Sequence, residues 1–234
     1  MRTNRRITPP FFELGPKAYI YGNEFLELAK FADQLSIKYN VDIILTPQYV
    51  DIPSIVQATE NVFVFAQHMD HLRIGRGMGS VLPEALKAVG AEGVMLNHIE
   101  KRLSLNVLEK TIARGKEAGL MTIVCADNVG DAKIIAEMNP TIIVVESPET
   151  IGTGERHKNA NEAIEEINRT LAAINKDILV LHGAGISNGQ DVYDVISAGA
   201  QGTGSSSGVI LAENRFEMLE EMISAMKKAW ADKK

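Results

Sequence analysis

Several features that mark other classes of protein are scarce in this sequence. Cysteine occurs once, at Cys125, so an internal disulfide is excluded and a reducing compartment is expected. Aromatic residues make up 6% of the chain, the net charge is −6, and no basic block is longer than a pair. This composition argues against a nucleic-acid-binding protein. No apolar run reaches the ~18 residues that span a bilayer, so no membrane segment is expected.

Export signals and metal-ligand patterns are also missing. The arginine-rich start at residues 2–6 resembles the charged end of a signal peptide, but Pro9-Pro10 and Glu13 interrupt the apolar stretch that should follow. We therefore expect a cytoplasmic protein. His68 and His71 are close in sequence but lack a third residue at metal-ligand spacing, so we expect neither a metal nor a cofactor.

What the sequence does contain is an alternation of short apolar runs and stretches with helical spacing. The predicted strands lie near residues 11–14, 41–46, 62–66, 93–96, 121–125, 141–145, 177–181 and 201–205. The main predicted helices lie near residues 23–38, 82–89, 104–118, 130–137, 159–174, 189–197 and 213–228, with a short one opening at 51–53.

Eight strand–helix units with near-continuous apolar strands predict a parallel sheet that is covered on both faces. In 234 residues, they predict an α/β protein with the TIM (β/α)8 barrel fold. We expect one domain over residues 1–234, with a loose lead-in at 1–8. An open doubly wound sheet is the alternative. It usually has a glycine-rich dinucleotide turn after its first strand, and Gly15-Pro16-Lys17 is not such a turn.

Chemistry in a barrel gathers at the carboxyl ends of the strands. Glu146 follows the sixth strand and precedes a loop, 147–154, which suggests a base that is covered when substrate binds. His98 follows the fourth strand and Lys17 follows the first. Each of them alone is more often an ordinary rim or surface residue. Together with two glycine-rich turns that can bind phosphate, they indicate proton transfer next to a carbonyl.

Four segments resemble the sequence of one known family. They are Asn97-His98-Ile99-Glu100-Lys101-Arg102, the stretch from Glu146 to Gly154, Gly183-Ala184-Gly185-Ile186-Ser187, and Ser205-Ser206-Ser207-Gly208. The family is triosephosphate isomerase, and the chain is most similar to its short archaeal type. The resemblance covers nearly the whole chain, with the segments in the same order.

The resemblance implies isomerisation of a phosphorylated sugar, dihydroxyacetone phosphate to glyceraldehyde 3-phosphate, through an enediolate. Glu146 would move the proton between carbons, His98 would polarise the carbonyl, and Lys17 would neutralise negative charge. Glu100 and Asn97 would support the site. The residues that would contact the substrate or its phosphate are Gly15, Ile151, Gly152, Gly183, Ala184, Gly185, Ser187, Ser205, Ser206, Ser207 and Gly208.

Several positions depart from the family pattern. Gly15 replaces an asparagine, which predicts a wider pocket there, and Ile99 replaces a serine. The loop at 75–79 carries Met78 where the family has a threonine that reaches a neighbouring subunit. This loop and the Met-rich last helix suggest an interface, in a homodimer or homotetramer. A larger ketose phosphate as substrate, or a non-catalytic phosphate-binding barrel, stay open as alternatives.

Overall fold

A computed structural model describes residues 5–145, 160–183 and 185–233. Its eight strands form a closed barrel in which neighbours along the chain pair in parallel, and the first strand pairs with the last. The strands are Phe11–Leu14 (β1), Asp42–Leu45 (β2), Phe63–Ala66 (β3), Gly93–Leu96 (β4), Met121–Ala126 (β5), Ile142–Val145 (β6), Leu179–Leu181 (β7) and Gly202–Ser205 (β8). The predicted (β/α)8 barrel is confirmed.

Helices cover the outside of the barrel. They are Gly22–Tyr39 (α1), Ile52–Ala58 (α2), Pro83–Ala88 (α3), Leu105–Glu117 (α4), Val129–Glu137 (α5), Ala160–Ile174 (α6), Gly189–Ser197 (α7), Ser207–Ile210 (α8) and Arg215–Asp232 (α9). A 3-10 turn at Tyr49–Asp51 precedes α2. Among the described residues, no helix is long and apolar enough to cross a membrane.

The barrel interior combines large side chains with glycines on neighbouring strands. Alternate residues of a strand face opposite sides of a sheet, so Phe11 belongs to the inner cluster while Phe12 packs against the helices. A Cβ added at Gly202 would lie 2.5 Å from the Phe11 ring, and one added at Gly93 would lie 2.4 Å from the Phe65 ring. These glycines therefore provide the space that the inward-facing rings occupy.

The amino-terminal end of the barrel is closed by charged residues that bind backbone groups. Asp33 of α1 accepts hydrogen bonds from the N–H groups of residues 60, 61 and 62, just before β3. Arg5 donates to carbonyl oxygens of the same segment, and its guanidinium lies 4.0 Å from the centre of the Phe63 ring. This end of the molecule is therefore structural, and the opposite end is left for chemistry.

Two helix starts and one additional short helix are the main differences from the prediction. Helix α1 begins at Gly22, before the expected cap Asn23, because the carboxylate of Asp51 accepts a hydrogen bond from the Gly22 N–H at 2.9 Å. Helix α9 begins after Asn214, whose side chain caps it. The short helix α8 was not predicted, since four residues give too little periodicity to detect.

The subunit interface predicted at the Met-rich last helix stays a prediction, but two of its methionines have a role within the chain. Met222 and Met226 of α9 are fully buried and pack with Leu219 and Ile223 in the core. Helix α9 packs against α1 and α7, and Phe216 makes an edge-to-face contact with Phe31. The methionines thus close the helical layer of the barrel.

Candidate active site

A cavity of about 360 Å³ opens at the carboxyl ends of the strands. A volume of this size suits a small ligand. Ten of the residues predicted from the sequence as site residues line it: Gly15, Lys17, His98, Glu100, Gly183, Gly185, Ser187, Ser205, Ser206 and Ser207. The structure therefore brings together residues from β1, β4, β7 and β8 that are far apart in the sequence.

Lys17 follows β1 with a backbone that a lysine rarely adopts. Its φ angle is 47°, in the left-handed region. The side-chain amides of Gln48 and Gln67 both donate to its carbonyl oxygen, at 2.7 Å and 2.9 Å. Gln67 also donates to the carbonyl of Thr46. The loops after β2 and β3 thus hold the turn that presents this lysine.

The ammonium group of Lys17 is paired with Glu100 across the cavity rim. The Nζ–Oε1 distance is 2.7 Å, and this hydrogen bond is the main reason why the pKa of Glu100 lies below its usual range. The Glu100 side chain is 60% exposed. Because an exposed pair contributes little to stability, its effect is to position the lysine rather than to stabilise the fold.

His98 follows β4, and its ring orientation is determined by the backbone beside it. The Glu100 N–H donates to His98 Nδ1 at 3.2 Å. This makes Nδ1 an acceptor, so the neutral ring carries its proton on Nε2. The imidazole can therefore donate a hydrogen bond through Nε2 to a ligand in the cavity.

Several effects keep His98 neutral at physiological pH. Burial lowers its pKa, and the charge of Lys17 lowers it further. Glu100 acts in the opposite direction, and Arg102 adds a smaller lowering effect. Together these effects give His98 a pKa below the usual value of histidine. The neutral imidazole is therefore favoured over the imidazolium, and it can polarise a carbonyl.

The two turns after β7 and β8 differ in which of their hydrogen-bond donors can bind a ligand. The Ser187 N–H donates to Asp191, and the Ser205 hydroxyl donates to the Ile186 carbonyl. Ser206 and Ser207 are only half-buried and line the cavity. Phosphate sites of barrels commonly lie between these two turns. The best-placed hydroxyl donors here are therefore Ser206 and Ser207.

Two predicted residues lie beside the cavity rather than on it. A Cβ at Gly208 would approach the Ile186 carbonyl to 2.6 Å, so this glycine lets the two turns pack closely. Asn97 is buried with φ 60°; it donates to the Cys125 carbonyl and accepts from the Leu103 N–H. Asn97 thus shapes the turn before His98. The predicted residues Glu146, Ile151, Gly152 and Ala184 lie outside the described residues.

The expectation of a wider pocket at Gly15 is wrong. A Cβ at this position would lie 2.9 Å from Glu13 Oε1, and 3.1 Å from both Thr46 Oγ1 and Ser206 Oγ. The space that a side chain would fill is occupied by the carboxyl group of Glu13. The glycine therefore accommodates a neighbouring side chain instead of enlarging the cavity.

Sequence reasoning missed Glu13 as a cavity residue, together with Thr46 and His68. A signal for Glu13 was present: it is the one charge in the apolar strand Phe11–Leu14, two residues after the inward-facing Phe11. The sequence spacing argues against His68 as a metal ligand and gives it no other role. Its burial lowers its pKa, and Asp70 lies 3.5 Å from its Nε2.

Comparison with known proteins agrees with this geometry. A sequence model of triosephosphate isomerase matches residues 17–225. Triosephosphate isomerase of Methanocaldococcus jannaschii is 43% identical over 203 residues, covering 86% of this chain and 92% of that relative. The enzyme of Methanothermus fervidus is 39% identical, over 88% of this chain and 92% of its own. That of Sulfurisphaera tokodaii is 35% identical over 97% of this chain and all of its own.

The similarity extends over both halves of the barrel and includes the strands that present Lys17, His98 and the two glycine-rich turns. With the closed eight-stranded sheet and a neutral histidine beside a lysine at its rim, it leads to one conclusion: the chain belongs to the triosephosphate isomerase family.

Proposed function

We propose that this protein is an enzyme that interconverts dihydroxyacetone phosphate and glyceraldehyde 3-phosphate through an enediolate. The observation that carries the proposal is the state of His98. Its Nδ1 accepts from backbone and its pKa is lowered, so its Nε2–H is a neutral donor beside the Lys17 ammonium group. The mechanism is that of the family, assigned here residue by residue.

In this mechanism Glu146 removes a proton from one carbon of the substrate and returns it to the next. His98 donates to the carbonyl oxygen as negative charge develops there, and exchanges protons between the two oxygens. A neutral imidazole suits this role because its pKa is closer to that of the enediol than the pKa of an imidazolium. The assignment of Glu146 rests on the sequence resemblance.

Lys17 compensates negative charge on the phosphate and on the developing oxyanion. Glu100 holds the lysine at the rim through the 2.7 Å contact before substrate binds. The Gly183–Ser187 and Ser205–Gly208 turns bind the phosphate, with Ser206 and Ser207 as the exposed hydroxyls. The family resemblance implies that residues 147–154, which lie outside the described residues, would close over the substrate and exclude water, and so protect the intermediate from loss of phosphate.

The structure removes the argument for the larger ketose phosphate that the sequence left open. The argument for a larger sugar was unfilled space at Gly15, and the carboxyl group of Glu13 occupies that space. The relatives named above are all triosephosphate isomerases, as their names state.

The test is turnover of dihydroxyacetone phosphate. The product, glyceraldehyde 3-phosphate, is oxidised by a coupling enzyme, and the rate is measured as reduction of the nicotinamide cofactor of that enzyme. We expect His98→Gln to lower kcat by about 10²–10⁴-fold, the usual contribution of a positioned acid–base group. The matched control is His71→Gln, because His71 is exposed in the loop after β3. A wild-type rate at background would refute the triose assignment, and equal rates for the two variants would refute the role of His98.

We also propose that the chain forms a homodimer or homotetramer. Large apolar side chains are exposed on the segments that follow β1, β2 and β3, at the cavity end of the barrel: Tyr21, Val50, Ile74 and Met78. Met78 is fully exposed. Exposed large apolar side chains at one end of a protein favour an interface there. Sedimentation velocity would show an assembly, and Met78→Glu should shift it towards the single chain; a monomeric wild type would contradict the proposal.

Two further expectations belong to this proposal. The chain acts as a single barrel domain over residues 1–234, and the enzyme is cytoplasmic. The location is supported by the one cysteine, Cys125, which is buried and reduced. Cell fractionation with an antibody to the protein tests the location directly.

A further inference from the structure

A buried carboxylate, Glu13, lines the cavity that Lys17 and Glu100 also line. Glu13 is 8% exposed, lines the cavity and accepts a hydrogen bond from Thr46 Oγ1 through Oε1, at 2.7 Å. Glutamates are rarely buried to this extent unless their oxygens are bound by donors. This buried carboxylate also lies in the lining of the ligand cavity, where a bound ligand can reach it.

Two glycines on different strands provide the space for it. A Cβ at Gly15 would lie 2.9 Å from Oε1, and a Cβ at Gly204 would lie 3.1 Å from Oε2. Gly204 is the residue of β8 directly opposite Glu13 in the sheet register. Any other residue type at either position would displace the carboxyl group. Both oxygens are thus accommodated by the fold, and one of them is also oriented by Thr46.

We propose that Glu13 is a specificity-determining residue whose carboxylate accepts a hydrogen bond from a hydroxyl group of the substrate. An ionised carboxylate accepts hydrogen bonds and donates none. It attracts the hydroxyl groups of a ligand. It therefore orients a phosphorylated ligand so that a hydroxyl-bearing carbon faces Glu13. This inference rests on the proposed function in one respect, namely that the ligand is a phosphorylated sugar.

The experiment measures binding rather than turnover, so that it is independent of the isomerase assay. Dissociation constants are determined by calorimetry for glycerol 3-phosphate, which carries two hydroxyls, and for propyl phosphate, which carries none. Inorganic phosphate is the third ligand. Wild type is compared with Glu13→Gln, which keeps the shape and removes the charge. Glu92→Gln is the matched control, because Glu92 is also 8% exposed but lies before β4, at the opposite end of the barrel.

We expect the preference for glycerol 3-phosphate over propyl phosphate to fall by about tenfold in Glu13→Gln, the fold-change for losing one charge-assisted hydrogen bond. Binding of inorganic phosphate should stay the same or tighten, and Glu92→Gln should behave as wild type. An unchanged preference, or an equal loss for all ligands, would overturn the role of Glu13 while leaving the isomerase proposal intact.

The experiment also covers a wild type that binds none of the ligands and a Glu13→Gln variant that does not fold. If none of the three phosphates binds the wild-type chain, the proposed function fails and this inference fails with it. If Glu13→Gln does not fold, Thr46→Val replaces it: the charge stays, but the hydroxyl that orients Oε1 is lost. The hydroxyl preference should then fall by about threefold, a smaller effect than loss of the charge; no change would overturn the inference.

Discussion

Replacing Gly15 by alanine tests whether this glycine exists to accommodate Glu13. The added Cβ would lie 2.9 Å from Glu13 Oε1 and 3.1 Å from Ser206 Oγ and Thr46 Oγ1. Real Cβ atoms essentially never approach another atom to less than 3.0 Å and rarely to less than 3.4 Å, so these three oxygen atoms must move by a few tenths of an ångström. Overpacking of this kind costs about 1–3 kcal/mol. We expect the free energy of unfolding of Gly15→Ala to fall by about 2 kcal/mol.

The assay is thermal unfolding at one protein concentration, since assembly makes the midpoint depend on concentration. For a chain of this size, a loss of about 2 kcal/mol corresponds to a midpoint lower by about 4–8 °C. Glu13→Ala and the double variant complete a double-mutant cycle. Because Oε1 is the nearest atom, Gly15→Ala should cost at least about 1 kcal/mol less once Glu13 is shortened.

Two results would refute this reasoning. Gly15→Ala could leave the unfolding midpoint where it is in the wild type, which would mean that the surrounding side chains move without cost. Alternatively, the substitution could have the same cost in both backgrounds. In that case Ser206 and Thr46, rather than Glu13, would be the groups that exclude a side chain at position 15.

The remaining predictions concern protonation. Glu100→Gln removes the carboxylate that raises the pKa of His98, so the midpoint of His98 in an NMR titration should move further below its usual value; an upward shift would contradict the stated causes. Asp33→Ala should cost about 2–4 kcal/mol of stability at pH 7, because several N–H groups before β3 lose their acceptor. Burial alone would raise the pKa of Asp33, but its hydrogen bonds outweigh burial and lower it. Its contribution is therefore present above the unfolded value of 3.8 and is lost as pH falls through the lower folded value. Urea unfolding at pH 7 and near pH 3 measures this, and an equal cost at both would be inconsistent with a lowered pKa.

The sequence was informative about the barrel because its signals are local. Runs such as Ile142–Val145 are apolar throughout and flanked by helical spacing, so period and length are enough to assign them. The same pattern predicts which residues form the rim of the barrel, because residues just after parallel strands lie at the same edge of the sheet. The sequence alone therefore groups Lys17, His98 and the serine turns at one end of the barrel.

What could not be predicted depends on contacts across the barrel. The glycine at position 15 predicts empty space in the pocket, because nothing in the local sequence shows that the side chains of Glu13 and Thr46 both occupy the space beside it. The start of α1 was misplaced for a similar reason, since its first N–H binds Asp51, which lies 29 residues further along the chain. In both cases a distant side chain replaces the local group that the pattern expects.

The two amide hydrogen bonds to the Lys17 carbonyl have a consequence for transferring this site to another protein scaffold. The backbone of Lys17 is held at φ 47° by amides that come from the loops after two other strands. A graft of Gly15-Pro16-Lys17 alone would let the lysine relax to a common conformation and lose its position by several ångströms. The smallest portable unit is therefore the tripeptide together with Gln48 and Gln67, so three consecutive strands of a barrel must be matched before one lysine can be transplanted.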